Sequence, residues 1–291
     1  MLAILFGGAK DAPGGSDPIG KEITFMKLNE RRVVIRGAGD LASAVGWRLR
    51  MAGFGVVMTE VARPLAVRRR VSFCEAVWDG SAEVEGVQAI RIQGPEEARG
   101  AIERGAVPVL VDPDLAGLPA LAPDVLVDAT LAKRNLGIRM DMAALVVGVG
   151  PGFCAGQDVH MVVESKRGHH LGRVLTCGEA APDTGVPGVI AGYASERVLR
   201  APADGLLEPG VELGDMVSAG QEVAVVGGAS LRTEIAGVVR GLIRPGSAVA
   251  RGMKVGDVDP RGDRSYLETV SDKGLAVAGG VLEAICRVFN R

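Results

Sequence analysis

Short apolar runs closed by glycine or charge set the rhythm of the first half of the chain. Residues 33–36 form one such run, ending at Gly37-Ala38-Gly39, and residues 41–51 then carry apolar side chains at helical spacing until Gly53 stops them. Residues 55–59 are a second, β-branched run. The order strand, glycine turn, helix, strand predicts a βαβ unit and therefore a parallel sheet. Residues 84–92 alternate like a hairpin arm, and residues 95–104 read as a short polar helix opened by proline and closed by Gly105. Residues 107–111, 125–129 and 145–149 are further buried-strand candidates, so the expected sheet has about five or six strands.

Past Gly150 glycine and proline recur at short spacing and the helical period fades. An internal repeat organises this region: Gly205, Gly214, Val217, Gly220 and Val223 recur at one constant offset as Gly237, Gly246, Val249, Gly252 and Val255. Each copy reads as strands and tight turns around a G-x-x-V-x-x-G core. Two such copies resemble the barrel-sandwich hybrid of biotinyl and lipoyl carrier domains. The turn between them, residues 227–233, holds no lysine to bear either group, so the likeness predicts an unmodified scaffold. Residues 275–289 then predict an amphipathic closing helix.

The expected fold class is α/β. It comprises a disordered leader over 1–25, a Rossmann-like nucleotide-binding domain over 26–155 and a β-rich connecting region over 156–196. A barrel-sandwich-hybrid-like domain over 197–262 and a C-terminal helical segment over 263–291 follow. Gly, Pro and Asp crowd residues 8–20, which motivates the leader and makes Met26 a candidate start of the folded protein. The apolar opening of residues 2–6 is far shorter than the roughly 20 residues a membrane helix needs.

Charge then narrows the function classes. Lys and Arg total 33 against 35 Asp and Glu, so a net charge of −2 offers no global field for nucleic acid or an anionic membrane, and neither partner is expected. Cys74, Cys154, Cys177 and Cys286 lie apart with no C-x-x-C pair, which fits a reducing, cytoplasmic setting better than a disulfide framework.

Gly37-Ala38-Gly39-Asp40-Leu41-Ala42 satisfies G-x-G-x-x-G/A between a strand and a helix, the context that gives the motif its meaning. Gly37 makes the turn, Gly39 admits a phosphate to the backbone, and the helix N-terminus by Ala42 supplies unpaired N–H groups. Glu60 ends the second strand, roughly 20 residues on, where a ribose-binding carboxylate is expected. Asp40 argues against an ordinary dinucleotide site, because its carboxylate can cap the same N–H groups and repel phosphate; Arg36 is its expected neutralising partner. Arg63, Arg68, Arg69 and Arg70 follow in one loop, with Arg63 and Arg68 as anion-binding candidates and Arg69 and Arg70 read as solvated partners of Glu60. Lys133 is expected to face the same cleft.

Three weaker signals complete the list. Residues 148–156 are a second glycine-rich turn, Cys154 within it is read as a small buried thiol, and His160, Glu164, His169 and His170 match no standard zinc spacing. No metal is therefore expected, and no catalytic residue is assigned.

The run from Val34 to Arg70 resembles the YqeB family, which is assigned to the selenium-dependent molybdenum hydroxylase system. The likeness continues through residues 128–134, 148–156, 164–173 and 252–261, and ends with Ser271-Asp272-Lys273 and residues 279–284. It implies the pathway of such a hydroxylase and, taken with the glycine turn, an accessory protein for its maturation that binds a nucleotide or molybdopterin dinucleotide, with the hydroxylase or its maturation factors as partners. Two other classes compete: an NAD(P)-dependent oxidoreductase, against which stands the lack of a Tyr-x-x-x-Lys pair, and a non-catalytic docking protein.

Overall fold

The computed structural model describes residues 30–290, so the leader reading and Met26 lie outside the described residues. The fold is mixed α/β, with one large, mainly parallel sheet and further antiparallel sheets. Strand β1 (Arg32–Arg36) leads through the glycine turn into helix α1 (Asp40–Met51) and back to β2 (Gly55–Glu60), parallel to β1 with Arg36 opposite Thr59. A short helix α2 (Glu75–Asp79) precedes the hairpin β3 (Ser81–Val84) and β4 (Val87–Ile92). Helix α3 (Ala98–Glu103), strand β5 (Val107–Val111), helix α4 (Leu118–Leu121), β6 (Val125–Asp128) and β7 (Leu145–Val149) follow.

Two short strands, β9 (Met161–Val163) and β10 (Val174–Leu175), extend this sheet beyond β7, separated from it in sequence by β8 (Cys154–Ala155), which pairs instead with β11 (Gly178–Glu179). The sheet order is β10-β9-β7-β6-β1-β2-β5-β4-β3, nine strands among the described residues rather than the five or six expected. The difference has two causes. Two of the added strands, β9 and β10, are too short to show a period and are stabilised by pairing on an existing edge. The third arises because the expected arm over residues 84–92 is broken by the turn at Glu85 and Gly86 into β3 and β4.

Alternation along β1 divides the core. Val33 and Ile35 face α1 and the closing helix α5 (Asp272–Phe289), whereas Val34 faces α3 and α4. Helix α5 is capped by Ser271, whose hydroxyl accepts from Gly274 N–H, and it buries Val277, Val281, Ala284 and Ile285. Each large aliphatic side chain hidden this way contributes about 1.5–3 kcal/mol. Gly274 and Gly280 permit close approach: a β-carbon at Gly274 would lie 2.9 Å from Ala44 Cβ, and one at Gly280 only 2.3 Å from Gly172 O.

The repeat builds two four-stranded antiparallel sheets. Strands β12 (Val198–Arg200), β13 (Gly205–Pro209), β14 (Met216–Val217), β15 (Glu222–Val226) and β16 (Ala229–Arg232) precede the second copy, β17 (Gly237–Leu242), β18 (Ala248–Val249) and β19 (Lys254–Asp259). Each copy lends its short middle strand to the other: Gly205 stands opposite Val249 on β18, and Gly237 opposite Val217 on β14. The same reciprocity orders the turns, with Gly214 N–H donating to Val239 O and Gly246 N–H to Leu207 O. The interior is apolar, built from Leu207, Val223, Val226, Val239, Val255 and Val258 among others.

This unit is sewn to the main sheet. Leu242 N–H donates to Val67 O, Arg69 Nε to Leu242 O, and Arg244 to Glu75 and Asp79 of α2. The loop after β2 thus runs along β17. No helix among the described residues is long and apolar enough to cross a membrane.

Candidate functional site

The chain order of the strands reverses beside β1, with β2 on one side and β6 on the other. Ligands of open α/β sheets sit at the carboxyl ends of strands at such a point. A cavity of about 850 Å³ opens there, lined by Arg36, Gly37, Gly39, Asp40, Glu60 and Thr130 among others.

Gly37 has φ +94°, and a β-carbon would come within 3.3 Å of the Ala129 carbonyl, so the turn requires glycine. Gly39 differs. It is the N-cap of α1 with φ −74° and ψ −175°, and nothing lies within 4 Å of where a β-carbon would stand. That space belongs to the cavity, and it is where a phosphate can approach the backbone. Ala42 is buried at the first turn of α1 and also lines the cavity.

Glu60 is held against the same turn. One carboxylate oxygen accepts from Ala38 N–H at 2.8 Å and the other from Val61 N–H at 2.7 Å. Burial pushes its carboxyl above the ordinary range, and the two N–H donors partly offset this. Glu60 therefore braces the turn while retaining acceptor lone pairs on the cavity side.

Asp40 does not cap α1, which has no side-chain cap, and Arg36 does not neutralise it. Arg36 spends its donors on Pro113 O, Leu136 O and Asp128, the residue opposite it on β6. Arg68 takes the expected role instead. It is buried, pairs with Asp40 at 3.2 Å, and donates to Tyr266 O and Thr269 O, both at 2.8 Å. Nor do Arg69 and Arg70 pair with Glu60: Arg69 reaches Leu242 O, and Arg70 lies 3.8 Å from Glu268. Arg63 is exposed and lines no part of this cavity.

Lys133 belongs to a second cavity of about 920 Å³, where it pairs with Asp183 at 2.5 Å. The two cavities adjoin, since both are lined by Asp40, Leu41 and Leu131. The second lies between the main sheet and the repeat, and its walls are rich in cations. Arg197 and Arg240 flank the buried Asp257, with Arg197 at 2.5 Å and Arg240 Nε at 2.8 Å, and Arg240 also meets Asp259 at 3.0 Å. Arg167 pairs with Asp272 through both terminal nitrogens, which pulls that carboxyl down to about 2.

Lys254 and Lys273 complete the wall. Burial pushes the Lys254 ammonium below the ordinary lysine range, opposed by Asp257 and assisted by Arg197 and Arg240. Burial also lowers Lys273, with Arg167 adding to the effect. Sequence reasoning missed these cations, although residues 252–261 and Ser271-Asp272-Lys273 are among its most distinctive runs. The available signal was the repeat itself: Asp257 and Asp259 put charge where the first copy has Val225 and Gly227, and Lys254 reverses the sign of Glu222.

The remaining candidates have structural employment. Within the second glycine-rich turn, a β-carbon at Gly152 would meet Arg134 N at 2.4 Å, so close packing explains that glycine. Cys154 is half-buried, with Sγ 3.9 Å from Ala155 O. His160 Nδ1 accepts from Val146 N–H, Glu164 accepts from Lys166 N–H and Ala181 N–H, and His169 meets His170 edge to face. Among the described residues no group of three or more His, Cys, Asp or Glu is placed to hold a metal ion.

No family model matches the chain. Over 296 aligned residues it is 46% identical to "Uncharacterized protein YqeB" of Escherichia coli (strain K12), covering 100% of this chain and 53% of that protein. The chain thus spans about half the length of the curated relative it matches. Among solved structures, an aspartoacylase family protein from Mesorhizobium loti is 13% identical, with TM-score 0.26 over 79% of this chain and 85% of that one. The product-bound ectoine utilization protein EutE (DoeB) from Ruegeria pomeroyi is 12% identical, with TM-score 0.25 over 79% and 85%. Likenesses this shallow bear on neither fold nor chemistry.

Proposed function

The match to YqeB along the whole chain supports placing it in the YqeB family, and on that premise we propose an accessory protein for maturation of a selenium-dependent molybdenum hydroxylase. It binds a nucleotide, or the nucleotide-bearing molybdopterin cofactor, in the cleft beside Gly37 and Gly39. The observation that carries this reading is the open space at Gly39. A helix N-terminus preceded by a glycine with free backbone approach, at the strand-order switch, is built to receive a phosphate ester. The βαβ unit and the reversal beside β1 support a Rossmann-like sheet. The reciprocal exchange of β14 and β18 supports a barrel-sandwich hybrid that serves as scaffold.

The residues fit such a ligand. Glu60 has acceptor capacity for a ribose hydroxyl, Asp40 is neutralised by Arg68, and Gly39 leaves room for phosphate. A molybdopterin dinucleotide, when bound, carries the metal-ligating dithiolene that the hydroxylase uses. This chain's residues hold and orient its nucleotide end.

Mass spectrometry of small molecules released from freshly purified protein tests the reading. A cytidine or pterin species is expected. A nicotinamide would move the assignment to an oxidoreductase. No released ligand, together with no calorimetric binding of CTP, ATP, NAD or NADP, would overturn it.

A further inference from the structure

The net charge of the chain is −2, yet the cavity between the main sheet and the repeat is lined by far more cations than carboxylates. Most of those cations are accounted for. Arg68 has Asp40, Lys133 has Asp183, Arg167 has Asp272, and Arg197 and Arg240 share Asp257. Four are not. Lys166 and Lys273 have no carboxylate within 4 Å among the described residues, and Arg200 donates only to Gly252 O. Lys254 lies 4.0 Å from Asp257, a carboxylate already serving two guanidinium groups.

These four arrive from different places: Lys166 follows β9, Arg200 ends β12, Lys254 opens β19 and Lys273 lies in the first turn of α5. A basic patch on an open surface needs no explanation beyond solvation. Here the cations converge on a recess between protein walls, and a cleft of one sign with low-dielectric walls focuses field and concentrates counter-ions. Lys273 is half-buried at the wall while Lys166, Arg200 and Lys254 reach it from exposed positions, so a bound anion would meet four cations with no carboxylate of their own.

We propose that this cavity is a second phosphate site, taking a further phosphorylated group of a ligand whose first phosphate meets the glycine turn. The first half of the statement stands on the cavity itself; the assignment to one shared ligand rests on the function proposed above. The shared wall of Asp40, Leu41 and Leu131 sets the two spaces side by side, within reach of one extended molecule. The walls differ in character. The glycine-turn cavity offers a phosphate the open backbone at Gly39, while its Asp40, Glu60 and Asp114, with only the fully engaged Arg36, suit hydroxyl and amino groups beside it. The second mixes lysine and arginine, the pair that suits phosphate oxygens.

Calorimetric titration of the full chain with inorganic pyrophosphate, and separately with CTP, ATP, NAD and NADP, tests this on the parent, Lys254→Met and Lys273→Met. Pyrophosphate is expected to bind the parent, each lysine change to weaken it about tenfold, and added salt to shrink the difference. A melting curve checks each fold, and Arg200→Gln replaces any variant that melts early. Lack of pyrophosphate binding by the parent, or affinities indifferent to all three positions, overturns the site. Nucleotide binding that ignores the lysines would leave the function proposed above standing and remove this inference. Lysine-dependent pyrophosphate binding without any nucleotide binding would keep the phosphate site and remove the nucleotide reading.

Discussion

In the first copy of the repeat Glu208, Glu212 and Glu222 occupy the positions that Arg240, Arg244 and Lys254 hold in the second. The backbones correspond closely: Gly205 and Gly237 have φ of +150° and +155°, Gly220 and Gly252 +80° and +81°. Their surroundings do not. Strand β13 alternates between buried and exposed, whereas β17 is buried throughout because the loop after β2 lies against it. Asp257 and Asp259, nearly inaccessible at 1% each, stand where the first copy has Val225 and Gly227. The comparison teaches that the turn glycines and interior valines are what the scaffold needs, while the charged positions of the second copy follow from what that copy faces.

The sharpest way to break the comparison is at Asp257. Asp257→Ala leaves Arg197 and Arg240 buried without their shared partner and is expected to cost about 3–5 kcal/mol. Val225→Ala, at the matching position, should cost about 1 kcal/mol, since its side chain is only partly buried. Urea titrations of both variants measure this, and equal losses would refute the asymmetry.

The turn glycines should behave alike instead. A β-carbon at Gly205 would meet Gly227 Cα at 2.6 Å, and one at Gly237 would meet Asp259 O at 2.3 Å. Gly205→Ala and Gly237→Ala are therefore both expected to lose roughly 2–3 kcal/mol. A large difference between their unfolding midpoints would show that the copies are not equivalent even in backbone.

Acid sensitivity belongs to the second copy. Burial acts to raise the Asp259 carboxyl, but hydrogen bonds from Arg261 and the charge of Arg240 outweigh it and hold the group below its ordinary value of 3.8. A carboxyl depressed on folding contributes stability that is fully present above that value and drains away as pH falls through the lower, folded one. Asp259→Asn should cost about 1–2 kcal/mol at pH 7, because Arg240 keeps Asp257, and the gap to the parent should close as pH drops below 3.8. Thermal melts across that range decide it; a gap that persists unchanged at low pH removes the linkage.

The smallest effect is expected at Glu208→Gln. This exposed residue is the counterpart of Arg240, and its neutralisation should change stability by less than about 0.5 kcal/mol and leave pyrophosphate affinity unaltered.

What the sequence discloses follows the same division. The glycine turn and α1 are legible because the apolar run, Gly37, Gly39 and the helical period are contiguous, and the repeat is legible because its glycines must recur wherever its turns do. The pairing of charges is not. Arg36 is adjacent to the turn in sequence, but parallel register places it opposite Asp128, while Arg68 reaches Asp40 only because the loop after β2 folds back toward α1. Lys166, Arg200, Lys254 and Lys273 look like ordinary surface residues until packing brings their segments around one space. The short strands β9 and β10 escaped for a similar reason, being too brief to carry a period of their own.

The packing of α5 against α1 bears on how the chain matures during synthesis. Helix α1 occupies residues 40–51 and its covering partner 272–289, so the apolar face formed by Ala44, Val45 and neighbouring sheet residues emerges from the ribosome long before α5 is made. Contacts of such sequence separation slow folding, and the uncovered face is a natural client for chaperones. The face on which α1 meets its partner is therefore completed only after α5 has been made.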